Sequence, residues 1–199
     1  MPFENIKKMG ELGFLGLTVS EEYGGAALDT VSYCVAIEEI SKACAATAIV
    51  MAVRNSLVCY GIEKLGTEEQ KQTFLVPLAK GKLIGAFALT EPGAGCDGAA
   101  QETTMVLDGD EYIVNGTKNF ITNGGFADVI VLFGMTDKSQ GYRGTTRFWS
   151  RRTRLGSRWA RKRKSWASAP RAPAGWYLRI VECLSPTDWE RRARALRSP

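Results

Sequence analysis

Two glycine-punctuated segments carry the residue types that could hold a ligand. The first is Phe87-Ala88-Leu89-Thr90-Glu91-Pro92-Gly93-Ala94-Gly95-Cys96-Asp97. It reads as a strand running into a loop. Pro92 fixes the entry, and Gly93 and Gly95 let the backbone approach a ligand closely with its N–H groups exposed. Such a loop suits a phosphate or the edge of a heterocycle, and Thr90 and Cys96 can add polar side chains to it. The second segment is Gly116-Thr117-Lys118-Asn119-Phe120-Ile121-Thr122-Asn123-Gly124-Gly125. An aromatic ring flanked by small polar residues can stack on a planar ring system. Each segment also has a plainer reading: a tight turn for the first, and a strand closed by a type I′ turn for the second.

Composition narrows the chemistry further. The 199 residues contain no histidine, which removes Ser-His-Asp triads, Cys-His dyads and imidazole metal sites together. The five cysteines (Cys34, Cys44, Cys59, Cys96, Cys183) are odd in number and form no Cys-x-x-Cys pair. A disulfide framework or thiolate metal centre is not expected; reduced thiols in a cytoplasmic protein are. Cys34, Cys44 and Cys59 read as small core residues. No run approaches 18 consecutive apolar residues, so no membrane helix is expected. The start, Met-Pro-Phe-Glu-Asn, lacks the basic-then-apolar order of a signal peptide.

The elements that must position these segments fall into two groups. Residues 3–16 place Ile6, Met9, Leu12 and Leu15 at helical spacing, and Glu21-Glu22-Tyr23-Gly24-Gly25 is a turn. Residues 30–43 predict a helix capped by Asp29 or Thr30. Residues 46–61 predict a second, apolar core helix interrupted at Gly61 and Gly66, and Thr67 with Gln70 forms a capping-box pattern opening a helix to about Ala79. From residue 83 the period changes. Strands are predicted over 83–89, 103–107, 112–115, 117–122 and 129–133, with a hairpin at Asp108-Gly109-Asp110. The expected fold is therefore α+β and multi-domain. An all-α helical domain (1–82) precedes an incomplete antiparallel β-domain (83–145), and an irregular basic tail (146–199) follows.

The two segments and their surroundings together resemble the acyl-CoA dehydrogenase family. The resemblance runs from Met9 to Gly144. It is carried by Leu12-Gly13-Phe14-Leu15-Gly16-Leu17, Glu21-Glu22-Tyr23-Gly24-Gly25, Glu38-Glu39-Ile40-Ser41, Leu65-Gly66-Thr67-Glu68-Glu69-Gln70-Lys71, the Thr90–Asp97 loop, Asn115-Gly116-Thr117-Lys118 and Phe120-Ile121-Thr122-Asn123-Gly124, in family order. The flavour is that of short-chain, butyryl-CoA-type members. The resemblance implies an N-terminal α-domain, a middle β-domain and a C-terminal four-helix domain, with FAD between the last two. It implies that Phe87, Ala88, Leu89, Thr90, Gly95 and Cys96 line the flavin, with Thr90 near its polar ring edge, and that Phe120, Ile121 and Thr122 make the second flavin contact. Cys96 stands where the family usually has Ser touching both FAD and the acyl-CoA substrate, and a thiol is the weaker hydrogen-bonding group. The family removes an α-proton with a Glu from the C-terminal domain and passes the β-hydride to the flavin. That base has no counterpart in these residues; Glu38 and Glu39 match a structural segment. An electron-transferring flavoprotein as acceptor and a homotetramer are implied for intact members.

Residues 146–199 match nothing in that family as written. Residues 1–145 carry a net charge of −7 and residues 146–199 one of +12, and the latter hold all five tryptophans and 13 of the 15 arginines. A basic tail ordinarily points to nucleic acid or an anionic membrane. Reading each codon one nucleotide earlier gives another account. Trp159–Ser165 then permits Val-Gly-Lys-Lys-Glu-Glu-Lys, and Trp166–Trp176 permits Leu-Gly-Ile-Arg-Ala-Ser-Ser-Thr-Cys-Gly-Leu. Tyr177–Cys183 permits Val-Phe-Glu-Asp-Cys-Arg-Val, and Trp189–Ser198 permits Leu-Gly-Lys-Glu-Gly-Glu-Gly-Phe-Lys-Ile. These are the family's next segments in order. The expectation is a one-nucleotide frame change near Thr146, truncation at both ends, strands with unpaired edges, a disordered tail, and a chain inactive on its own. Neither nucleic acid nor a membrane is expected as a partner. The alternatives are a non-catalytic flavin or acyl-CoA binder and a basic-tailed nucleic-acid binder.

Overall fold

The computed structural model describes residues 3–108, 111–151, 158–160 and 177–184. The chain opens with α1 (Phe3–Glu11), whose Ile6 and Met9 are buried, followed by 3-10 turns at Phe14–Gly16 and Glu21–Tyr23. The Asp29 carboxylate then accepts the Val31 and Ser32 N–H groups and caps a long helix, α2 (Thr30–Leu65). The two helices expected over 30–43 and 46–61 are thus one. Cys44 has non-helical dihedrals and only kinks it, and Gly61 does not end it. The stretch Val53–Cys59 within α2 is π-helical. Of the two interruptions expected, the break falls at Gly66, whose extended backbone leads into the Thr67–Gln70 capping box. That box is formed as the sequence predicts: the Thr67 side chain accepts the Gln70 N–H and the Gln70 side chain accepts the Thr67 N–H. It starts α3 (residues 68–79).

By length and composition α2 could cross a membrane. It serves as a core helix instead. Val58, Cys59 and Ile62 are fully buried with Leu75 and Leu78 of α3 on one side and Val129, Val131 and Trp149 on the other. Burial pushes the Cys59 thiol up to about 12, so it remains an inert core thiol.

Seven strands follow: β1 (Gly85–Ala88), β2 (Thr104–Asp108), β3 (Glu111–Lys118), β4 (Val129–Met135), β5 (Thr145–Arg151), β6 (Arg158–Ala160) and β7 (Tyr177–Leu184). They form one sheet in the order β1-β4-β2-β3-β7-β6, with β5 on β4. The β2–β3 hairpin pairs antiparallel around residues 109 and 110, as the sequence predicts. The sheet as a whole is mixed rather than antiparallel, because β1 and β2 both run parallel to β4. The reason lies in the connections. Residues between β1 and β4 include the 89–97 loop and the β2–β3 hairpin, which is long enough to return the chain to the same end.

Strand β4 is buried on both faces. Val129 and Val131 pack on α2 and α3, while Ile130 and Leu132 enter the sheet's own core with Ala86, Ala88, Met105, Tyr112, Val114, Ile121 and Phe148. Gly85 permits the closest approach of sheet to helix, since a Cβ there would lie 2.7 Å from Val58 Cγ1. The expected strand edges are not bare: β7 pairs with β3 over seven positions and β5 with β4 over seven. The expectation of an irregular tail therefore fails for β5, β6 and β7. Ladder hydrogen bonds join backbone groups, so their formation depends little on side-chain identity. The rest of the expected disordered tail lies outside the described residues.

Candidate functional site

The loop after β1 is closed on itself. The Glu91 and Ala94 N–H groups each donate to the other's carbonyl, 2.9 and 3.2 Å, which makes Glu91-Pro92-Gly93-Ala94 a tight turn. A Cβ at Gly93 or at Gly95 would meet nothing within 4 Å, so neither glycine is required by internal packing. Both leave bare backbone facing open space, as an approaching ligand needs. Asp97 accepts the Ala99 N–H and starts a 3-10 turn at Gly98–Ala100 that leads the chain to β2.

The second segment departs from the expected strand. Strand β3 ends at Lys118, and the chain then turns, with Phe120 at φ 57° and Asn123 at φ 64°. A phenylalanine in the left-handed region is uncommon and sterically costly. Here it is held by Asn119, whose side-chain oxygen accepts the Phe120 N–H at 3.0 Å. The outcome is that the Phe120 ring is turned outward, 62% exposed. Asn123 in turn donates to the Gly85 carbonyl at 3.0 Å, anchoring the turn to the start of β1.

One backbone hydrogen bond joins the two segments: Asn119 N–H donates to the Thr90 carbonyl at 2.7 Å. The structure thus brings together residues 29 positions apart. It also divides the expected site residues. Thr90 and Thr122 are half-buried, and Gly95, Cys96 and Phe120 are exposed. Ala88 and Ile121 are buried in the sheet core, and the Phe87 ring packs on Phe133 at 4.9 Å, toward the helices. Ala88 and Ile121 can offer a ligand only backbone in this arrangement, and Phe87 is half-buried. Leu89 is half-buried.

Sequence reasoning missed the charges beneath the loop. Lys118 is fully buried and its ammonium donates to Glu91 Oε1 at 2.7 Å, the Leu89 carbonyl at 2.9 Å and Gln101 Oε1 at 3.0 Å. The Glu91 carboxylate also accepts the Glu102 and Thr103 N–H groups at 2.5 and 3.0 Å. Burial alone would raise the Glu91 carboxyl, but these hydrogen bonds outweigh it and hold the group below its ordinary value. Burial pulls the Lys118 ammonium down. The available signal was chemical: a Glu and a Lys each inside a glycine-rich ligand-type segment, where a solvated face has no reason to be. Gly116 explains why the ladder closes so tightly here, since a Cβ would fall 2.1 Å from Thr103 Oγ1.

Known proteins are similar to this chain in sequence and fold. Residues 1–82 match the model for the acyl-CoA dehydrogenase N-terminal domain and residues 86–176 that for the acyl-CoA dehydrogenase middle domain. The chain belongs to the acyl-CoA dehydrogenase family. Among curated relatives, the short-chain specific acyl-CoA dehydrogenase of Clostridium acetobutylicum is 54% identical over 147 residues, 74% of this chain and 39% of that protein. A chain in the structure of the electron transferring flavoprotein of Acidaminococcus fermentans is 46% identical with a TM-score of 0.85, covering 91% of this chain and 47% of that one. Butyryl-CoA dehydrogenase from Megasphaera elsdenii is 36% identical with a TM-score of 0.81, covering 96% and 52%. The chain therefore spans about two fifths of the length of its curated relative and about half of the solved structures.

Proposed function

We propose that this chain is the N-terminal and middle portion of an FAD-dependent acyl-CoA dehydrogenase that introduces an α,β double bond into short acyl-CoA thioesters in the cytoplasm. The observation that carries this reading is the Asn119–Thr90 hydrogen bond, which sets a ring-edge loop and an outward-turned aromatic side by side. The residues fit a flavin. Exposed backbone at Gly93 and Gly95 suits a pyrophosphate or ring edge, the Phe120 ring offers a face for stacking, and Thr90 and Cys96 supply polar groups. When bound, FAD supplies the hydride acceptor. The chain's own residues would hold and orient it, with Cys96 a weaker donor toward substrate than a hydroxyl. An electron-transferring flavoprotein as acceptor and a homotetramer go with the same reading.

The α-proton needs a carboxylate base. Of the two acids in the loop, Glu91 is buried and engaged by Lys118, Glu102 and Thr103, and Asp97 is tied to the Ala99 N–H. This favours the further reading that the 199 residues alone bind flavin or acyl-CoA without turnover. The assay is flavin bleaching with butyryl-CoA under anaerobic conditions. Stoichiometric FAD without bleaching supports this reading; bleaching by the isolated chain overturns it.

We infer in addition that the reading frame changes near Thr146. Strand β5 pairs in register with β4, yet its Trp149 indole N–H is buried without an acceptor among the described residues. That is what a misfitting side chain on a correct backbone template gives. Sequencing the DNA across the Gly144–Arg147 codons decides it: an extra or missing base supports the inference, and a confirmed frame removes it.

A further inference from the structure

We propose that Lys118 and Glu91 form a buried positioning pair whose task is to fix the flavin-facing loop and the Phe120 turn relative to one another. The proposal rests on the flavin reading above. Lys118 has three ammonium protons and all three are committed, to Leu89, Glu91 and Gln101. Its targets flank Thr90 on both sides, while the Thr90 carbonyl itself is taken by Asn119. The residue carrying the polar ring-edge hydroxyl is thus held at three consecutive positions. The next residue after Asn119 is Phe120, the exposed ring. A single buried cation therefore references both candidate ligand contacts to the same point. The Glu91 carboxylate extends the frame to Glu102 and Thr103 at the start of β2.

Stability gives no reason for such a pair. Replacing a buried ion pair by neutral groups of similar volume is often neutral or favourable, because two charges must be desolvated to form it. What neutral groups cannot reproduce is three directed bonds from one atom to the loop on both sides of Thr90 and to Gln101 beyond it. The side chains are 0% and 5% exposed, so solvent does not weaken this geometry.

The test compares the wild-type chain with the neutral double variant Glu91→Gln/Lys118→Met and the single variant Lys118→Met. Amide hydrogen exchange is followed for residues 89–94 and 117–122 and, as an internal reference, for residues 50–62 of α2. FAD affinity is measured by fluorescence quenching and global stability by chemical denaturation. The double variant is expected to keep its denaturation midpoint, to exchange at least tenfold faster in the two loop segments alone, and to bind FAD at least tenfold more weakly. The single variant leaves Glu91 unpaired and is expected to lose stability as well. Equal acceleration in α2 and the loops of the double variant would show a merely structural pair and overturn the proposal. So would faster loop exchange with unchanged FAD affinity. If the wild-type chain binds no FAD, the flavin reading fails, while the exchange comparison still decides whether the pair fixes the loop.

Discussion

Arg54 is the most expensive residue in the helical unit, and removing its charge should stabilise the protein. It lies in the π-helical stretch of α2, 1% exposed, and all three guanidinium nitrogens lack a hydrogen-bond acceptor among the described residues. The Asp128 carboxylate feels its charge but is spent on the Ile84 N–H at 2.8 Å. Burial drags the guanidinium down to about 10, a depression that corresponds to about 3 kcal/mol. Met keeps most of the stem and removes the charge; its smaller volume gives back about 1 kcal/mol as a cavity. Arg54→Met is therefore expected to stabilise by about 2 kcal/mol, which for a chain of this size raises Tm by roughly 4–8 °C. Thermal unfolding followed by far-UV circular dichroism at neutral pH reads this directly. A variant destabilised by about 2 kcal/mol or more would show that the guanidinium has an acceptor outside the described residues, and the reasoning would be wrong.

The turn at Phe120 can be separated into strain and contact. Its ring is 62% exposed, so Phe120→Ala should change stability by less than about 0.5 kcal/mol while weakening FAD roughly tenfold. Phe120→Gly should be about 1 kcal/mol more stable than Phe120→Ala, because φ is 57°; equal midpoints in urea would contradict this. Asn55 is fully buried, donates to the Phe14 and Met51 carbonyls and accepts the Thr18 N–H. Asn55→Ala should cost about 2–3 kcal/mol in urea denaturation, and a loss below about 0.5 kcal/mol would show those bonds to be replaceable. The Glu91 carboxyl sits below its ordinary value, so its stabilisation is fully present above the unfolded-state value of about 4.3 and is lost as pH falls through the lower folded value. Acid unfolding curves of wild type and Glu91→Gln should converge below about pH 4; curves that stay parallel to pH 2 would assign the acid sensitivity elsewhere.

Local chemistry was legible in the sequence, and pairings between distant segments were not. The Thr67–Gln70 capping box and the β2–β3 hairpin are specified by residues three to eleven positions apart, and both are present. The long helix was divided too early because small residues around Cys44 interrupt the period, whereas the chain there merely kinks. The π-helical stretches Val53–Cys59 and Lys71–Leu75 have no sequence period of their own. The parallel β1–β4 pair joins positions too far apart for any local pattern to record. At the site, the two ligand-type segments were found from glycine and aromatic spacing. The strand drawn through Thr117–Thr122 fails because Asn119 accepts the next residue's N–H and tips Phe120 into the left-handed region. Lys118, Glu91 and Arg54 escaped because charged residues are ordinarily solvated, so burial of three of them could only be seen in three dimensions.

The parallel β1–β4 pair also fixes an order of events on the ribosome. The helical unit has its own internal contacts, such as Asn55 with Phe14 and Ser20 with Glu63, once α3 has emerged. Its sheet-facing residues Val58, Leu75 and Leu78 stay open until Val129 and Val131 cover them. The Ile84 N–H waits for the Asp128 carboxylate, 44 residues downstream. At about 5–20 residues per second that interval lasts roughly 2–9 s. For that time a nascent chain carries a finished helical surface with its apolar side open and β1 unpaired beside it. Chaperones act on exposed apolar surfaces of this kind, and synthesis rate through residues 89–128 becomes a determinant of yield that the stability of the finished fold does not report.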